Sequence, residues 1–303
     1  MWIMELRHLR YFVTVAEEEH ITRAAERLGI QQPPLSLQIR ALETELDVQL
    51  FRRKPRGVEL TDAGRIFFDD ARKILDQVDQ ALARTQRTAR GEQGTVVIGF
   101  TSSAPFHPFV PEVIRAFRDS HPLVSLELKE AGTSELVAAV EGEQMDAAFI
   151  RSQSTDATGV AIHRLFAEKF LAALPAGHAL ASSDKPIALT DLRHEPLILY
   201  RRVSGPGLYD TILSACQRAG FSPDITQEAP QIVSTLNLVA AGLGVTLVPA
   251  SLRQARMVGV VFRPLKSTPE LTAPLNLACR KVDYSEAAKR FVELARTTAR
   301  LVT

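Results

Sequence analysis

The chain has 303 residues, which exceeds the size of one ordinary core and predicts two or three domains. With 46% hydrophobic and 23% charged residues the composition is that of a globular protein, and no apolar run nears the roughly 18 residues of a membrane span. The net charge of +1 argues by itself neither for nor against a nucleic-acid partner.

The opening Met1-Trp2-Ile3-Met4 has no basic region leading into an apolar stretch, so no secretory signal is expected. The two lone thiols, Cys216 and Cys279, sit in apolar segments and are expected as inert core residues in a reducing cytoplasm.

The first 60 residues read as three short helices and a hairpin. Leu9, Phe12, Val13 and Ala16 recur at helical spacing, and a second helix is expected over 22–28, with Ala24 and Ala25 as a close-packing face. Gly29 then suits a left-handed turn, and Pro33 and Pro34 stand where a third helix begins and a missing N–H costs nothing. In that helix Leu35, Ile39, Leu42 and Leu46 make one apolar stripe, leaving Ser36, Leu37 and Arg40 on the opposite face. Such a helix can bury its leucines and push its polar N-terminal end into a major groove, which predicts a helix-turn-helix over 21–46. Leu50-Phe51 and Val58-Glu59-Leu60 are expected as short strands around a basic turn. They form a wing whose cations, Arg52, Arg53, Lys54 and Arg56, can reach phosphates.

Thr61 is a plausible N-cap for the next helix, and Asp62 favours its positive end. Phe67, Ala71, Ile74, Leu75, Val78 and Leu82 recur up to about Arg90, predicting a helix of about 30 residues spanning about 45 Å. Nothing local is expected to cover this seam, so pairing with the same helix of another subunit is predicted. Gly91 and Gly94 mark a hinge.

Beyond it, strands are expected at 95–100, 124–130, 145–150, 169–175, 197–200, 245–249 and 275–280. Helices are expected at 109–117, 135–141, 208–219, 232–241 and 286–300. This alternation predicts an α/β domain with a mostly parallel sheet, as one body or as two with a cleft between them. In a cleft of that kind ligands lie outside the C-terminal ends of strands, near helix N-termini. Thr101-Ser102-Ser103 follow the first strand, Thr133-Ser134 precede a helix, Arg151 follows the strand at 145–150, and Arg201-Arg202-Val203-Ser204 follow that at 197–200. Hydroxyls, helix-end N–H groups and guanidinium together suit a small carboxylate. The blander alternative is that the hydroxyls are only caps and the arginines only ion-paired.

Ile21-Thr22-Arg23-Ala24-Ala25, Gln32-Pro33-Pro34-Leu35-Ser36, Ile39, Leu42-Glu43, Leu50-Phe51 and Leu60-Thr61-Asp62-Ala63-Gly64 together resemble the LysR-type transcriptional regulators. The run 238–245 followed by Val248-Pro249 extends the resemblance to almost the full chain. Residues 4–12 and 32–36 resemble the subgroup that responds to benzoate, muconate and chlorocatechol-derived acids. The resemblance implies a winged helix-turn-helix at 1–61, a dimerising linker helix at 62–91, and a periplasmic-binding-protein-like effector domain at 92–303. That domain would have two α/β subdomains, the first about 95–165 and 267–303, the second about 166–266.

The resemblance further implies a homotetramer built from two dimers, promoter DNA and RNA polymerase as partners, and a small organic-acid effector with no other cofactor. It puts Ser102, Thr133 and the loop from Ser204 to Pro206 on the effector. The candidate effector set is thus Thr101, Ser102, Ser103, Thr133, Arg151, Arg202, Ser204 and Pro206.

Two departures from the family pattern stand out. Leu37 occupies a position where the family usually carries arginine, and Asp47 one where glycine is commoner. Leucine cannot pair with a phosphate or donate to a guanine edge, though it can touch a thymine methyl. The expected DNA contacts therefore rest on Gln32, Pro33, Pro34, Ser36, Gln38, Arg40 and the wing.

Other signals are weak. The seven histidines never fall at metal-ligand spacing, Gly205-Pro206-Gly207 lacks the lysine of a phosphate loop, and Ser102 and Ser103 have no nucleophile-elbow frame. A solute-binding protein and an α/β enzyme are the alternatives. The 90 residues before Thr95 disfavour the first, and no catalytic constellation supports the second.

Overall fold

A computed structural model describes residues 4–152, 156–266, 271–282 and 285–302, and the chain divides into two units, Met1–Gln86 and Arg87–Thr303. In the first unit, Leu9, Phe12 and Val13 of α1 (Leu6–Glu18) join one core with Ala24 and Ala25 of α2 (Ile21–Leu28) and Leu35, Ile39 and Leu42 of α3 (Gln32–Leu46). The alanine face lets α2 approach its neighbours closely. Gly29 caps α2 at φ +66°, the left-handed turn its position predicts. Asp47 caps α3 at φ +53° and donates its N–H to Glu43 O and Thr44 O, so aspartate fills a conformation better suited to glycine.

Glu43 is buried on α3, and its Oε1 accepts the N–H groups of Leu50 at 2.8 Å and Phe51 at 3.1 Å. That pair of bonds fixes the start of β1 (Phe51–Lys54) against α3. β1 then pairs antiparallel with β2 (Gly57–Leu60) to form the expected wing. At Gly57, φ is +147° and an added Cβ would lie 2.2 Å from Glu19 O, the same carbonyl that accepts the Val58 N–H at 2.9 Å. Only glycine lets the wing sit this close to the end of α1.

Thr61 Oγ1 accepts the Gly64 N–H at 2.9 Å, capping α4 (Asp62–Ala89) as expected. The linker stripe is not left wholly uncovered within the chain. Phe67, Ala71 and Leu75 pack into the helix-turn-helix core, with the Phe67 ring 5.0 Å from that of Phe12. The first half of the seam therefore does have local cover, and Ile74 and Leu82 remain exposed.

In the second unit β3 (Gly94–Phe100) runs parallel to β4 (Val124–Glu130) and β5 (Ala147–Ile150). The sheet continues through β11 (Thr272–Arg280) and β6 (Val160–Pro175) to β9 (Thr246–Pro249) and β10 (Val260–Pro264), and these pairings are all antiparallel. A mostly parallel sheet is therefore not what forms. The chain runs out along β6 from the β3–β5 core to the core around β7 and α8 and returns along β11, and an outgoing strand beside a returning one must run opposite to it. The expected strand at 169–175 is only the second half of β6, which passes unbroken through the boundary expected at 165/166. The start of the return expected at 267 falls outside the described residues.

β7 (Leu197–Tyr200) pairs in parallel with β8 (Ile225–Ala229), and neither β8 nor β10 is legible in the sequence. β8 has a mostly exposed, polar face, which removes the hydrophobic alternation that marks a strand. Around the sheet stand α5 (Phe109–Ser120), α6 (Thr133–Glu141), α7 (Pro206–Arg218), α8 (Ile232–Ala240) and α9 (Glu286–Val302), close to their expected spans. Phe291 of α9 meets Phe117 of α5 edge-on at 5.2 Å, closing the core over β3, β5 and β11. Both cysteines are buried, and burial pushes the Cys216 thiol up to about 11 and raises that of Cys279, which keeps both protonated.

Candidate functional site

Two separate sites take shape, one in each unit. In the first, the exposed flank of α3 and the wing bound an open cleft of about 660 Å³. Gln32, Pro33, Ser36, Leu37 and Arg40 supply one wall, and Arg53, Lys54, Gly57 and Val58 the other. Gln32 Nε2 donates to Ser36 Oγ at 2.6 Å, holding both side chains at the helix N-terminus. Leu37 is 66% exposed among these polar groups.

The basic wing is divided by strand alternation. Arg52 lies opposite Glu59 in the β1–β2 ladder, and both Arg52 and Lys54 are ion-paired to Glu59. Arg53 and Arg56 have no carboxylate partner among the described residues, and neither does Arg40 on α3. Pro34 and Gln38 line a different cleft, on the other flank of α3, together with Arg7 and Tyr11. Sequence reasoning missed the start of α2, where His20, Ile21 and Thr22 complete the first cleft. The signal available was that backbone N–H groups at a helix start are free to bind an anion.

In the second unit the hydroxyl residues converge. Thr101, Ser102, Ser103 and Thr133 line one crevice with Arg151 on one side, and Ser204 faces them with Tyr200, Gly205, Leu208, Gln231 and Ile232 on the other. The starts of α6, α7 and α8 all lie at this crevice, at Thr133, Gly205 and Gln231. Helix N-termini carry partial positive charge, so the crevice favours an anion. Thr101 Oγ1 is buried with no hydrogen-bond partner among the described residues, which is unusual for a buried polar group. Tyr200 Oη donates to Gly205 O at 2.7 Å, and burial raises its pKa so that it stays neutral. The crevice is closed in this conformation. Its free space of about 20 Å³ holds roughly one water. Gly132 and Ser204 meet so tightly that a Cβ on Gly132 would lie 2.9 Å from Ser204 O.

Arg151 lines the crevice but is fully engaged with protein. Nε reaches Ser103 Oγ at 3.3 Å, Nη1 reaches Glu168 Oε1 at 2.6 Å and Pro274 O at 3.3 Å, and Nη2 reaches Ser103 O at 3.4 Å and Ser251 Oγ at 3.3 Å. A guanidinium has five N–H donors, so none is left over for an effector. Arg202 does not line the crevice. It is exposed and bidentate to Asp210 at 2.7 and 2.8 Å. Pro206 also lies outside the lining, at the first turn of α7.

Residues 6–65 match the bacterial regulatory helix-turn-helix protein, lysR family, and residues 89–300 match the LysR substrate binding domain. The chain belongs to the LysR family of transcriptional regulators. This LysR regulator is 39% identical over 292 residues to the HTH-type transcriptional regulator AlsR of Bacillus subtilis (strain 168), covering 96% of this chain and 95% of that protein. It is 38% identical over 285 residues to the HTH-type transcriptional regulator BenM of Acinetobacter baylyi, covering 93% and 92%. Full-length CbnR complexed with its target DNA has the same fold, with a TM-score of 0.85 and 30% identity over 98% of this chain and 100% of that one. The BenM effector binding domain with its effector benzoate aligns at a TM-score of 0.61 and 29% identity, covering 69% of this chain and 93% of that one.

Like its relatives, this LysR regulator is a DNA-binding transcription factor with an effector-binding domain, which sets aside the transport and enzyme alternatives. Among the described residues no helix is long and apolar enough to cross a membrane, and no cluster of three His, Cys, Asp or Glu could hold a metal.

Proposed function

We propose that this LysR-family regulator senses a small carboxylate, with aromatic and unsaturated acids first in line, in the crevice between Thr101–Ser103 and Ser204–Gly205. The observation that carries the reading is the unpartnered, buried hydroxyl of Thr101, a residue that lines the crevice where three helices start. In this reading Thr101, Ser102, Thr133 and Ser204 contact the anion. Arg151 shapes the floor from behind, and Arg202 and Pro206 act only through the loop that carries Ser204. The relative crystallised with benzoate supports the ligand class.

An effector larger than water enters only if the subdomains separate, and it shifts the regulator's state only as far as it favours one arrangement over the other. The unit from Leu6 to Leu60 binds promoter DNA through Gln32, Pro33, Ser36, Arg40 and Arg53, with Pro34, Gln38, Arg52, Lys54 and Arg56 at its margins. Ile74 and Leu82 on α4 pair two subunits, two such dimers form a tetramer that acts with RNA polymerase, and the protein works in the cytoplasm.

Thermal unfolding of the full chain with benzoate and with muconate tests the sensor, because a ligand of the native state raises its stability. A rise in midpoint with either acid is expected. No rise with any carboxylate, alongside a rise with an uncharged ligand, overturns the anion reading.

A further inference from the structure

A second cationic feature lies outside both sites. Arg164 on β6 and Arg296 and Arg300 on α9 border a surface cleft of about 480 Å³, together with Ile162, His163 and Leu165. Among the described residues no carboxylate lines it. None of the three guanidiniums is ion-paired among the described residues, whereas nearby Lys289 pairs with Glu286 and Arg280 with Asp146. Arg296 and Arg300 are one helical turn apart and so share a flank of α9. Three uncompensated charges at one cleft repel each other, a cost that an anionic partner relieves.

The strand that floors this cleft is also open. From Ala161 to Lys169, β6 pairs with β11 on one side only, and β9 and β10 join it beyond that stretch. The backbone groups that 161–169 turns away from β11 have no hydrogen-bond partner among the described residues. An edge of this kind is a template for another strand, and charged side chains along it select what pairs.

We propose that this cleft docks an extended acidic segment of a partner protein, added as a strand to the outer edge of β6 with its carboxylates against Arg164, Arg296 and Arg300. Backbone pairing supplies affinity, and the arginines reject basic or neutral edges, including the chain's own. The site is independent of the effector crevice and of the DNA-binding cleft. A regulator so equipped can recruit an acidic partner without changing either.

The test uses the full-length protein and a fluorescent peptide of alternating glutamate and valine, about as long as the edge. Binding followed by anisotropy is expected to weaken with salt and to be about tenfold weaker in the variant R164E/R296E/R300E, while DNA binding is retained. In the wild type, bound peptide is expected to slow hydrogen exchange at the amides of 161–169. Absence of peptide binding, or an affinity unchanged in the variant, overturns the cleft. Equal binding of a backbone N-methylated peptide, which keeps the charges and loses the strand hydrogen bonds, overturns strand addition. Displacement by citrate at the peptide's own concentration reduces the site to one for small anions and overturns the proposal as well.

Discussion

Arg151 and Glu168 form an ion pair at 2.6 Å, with the guanidinium 2% and the carboxylate 12% exposed, beside the crevice proposed for the effector. Glu168 also accepts the Ser251 N–H at 2.6 Å and its hydroxyl at 2.9 Å, so one carboxylate joins β6, the turn after β9 and, through Arg151, the loop after β3 and strand β11. Replacing Glu168 with alanine leaves a buried guanidinium without its counter-charge. The expected loss is about 3 kcal/mol of stability, read from denaturant unfolding of the full chain. Arg202→Gln, which breaks an exposed pair, should leave stability unchanged. Equal effects of the two changes would show that Arg151 and Glu168 do not hold these segments together.

Two histidines give the fold a pH dependence. Burial lowers the pKa of His107, against an opposing pull from Glu168. Burial and then Arg296 lower that of His163. Both imidazoles therefore take up a proton more readily in the unfolded chain, whose histidines titrate near about 6.5. Stability should be full above that pH and fall as the pH drops below it. Thermal midpoints measured between pH 7.5 and 5.5 check this, and the double change His107→Asn with His163→Gln should flatten the decline.

Thr101→Val keeps the shape of the side chain and removes a hydroxyl that has no partner in the closed crevice. Stability of the free protein should change by less than about 1 kcal/mol, because no protein hydrogen bond is lost. The stabilisation given by benzoate or muconate should fall sharply. Undiminished ligand stabilisation in this variant would place the acid elsewhere.

On α3, Arg40→Ala should weaken binding to promoter DNA, while Leu37→Arg should tighten it and steepen the salt dependence by about one unit of slope if the position faces a phosphate. If Leu37 instead touches a thymine, replacing that thymine with deoxyuridine should weaken wild-type binding and leave a Leu37→Ala variant indifferent. Titrations on one duplex at several salt concentrations separate these outcomes.

Glutamate at both Ile74 and Leu82 should dissociate subunits that pair through α4, because these apolar side chains are exposed on the helix. Sedimentation of the double variant beside the wild type reads the change directly. An unaltered assembly would move the interface off this helix.

The helix-turn-helix, its wing and the linker were legible in the sequence because each is written locally. A leucine stripe at helical spacing, Gly29 at a left-handed turn and the threonine cap at position 61 act within a few residues of themselves. The convergence of Thr101, Thr133 and Ser204 on one crevice could be anticipated only as a set of strand ends and helix starts. Tertiary structure decided which members belong. It added Tyr200 and Gln231 from across the crevice, tied up all five donors of Arg151, and turned Arg202 toward Asp210. It also made the sheet mixed, by sending the chain out along β6 and back along β11, and drew Phe67 and Leu75 of the linker into the first core. Periodicity records which face of an element is apolar. What covers that face, and which charges meet across a sheet, depends on contacts between residues far apart in the chain, and these have no period to read.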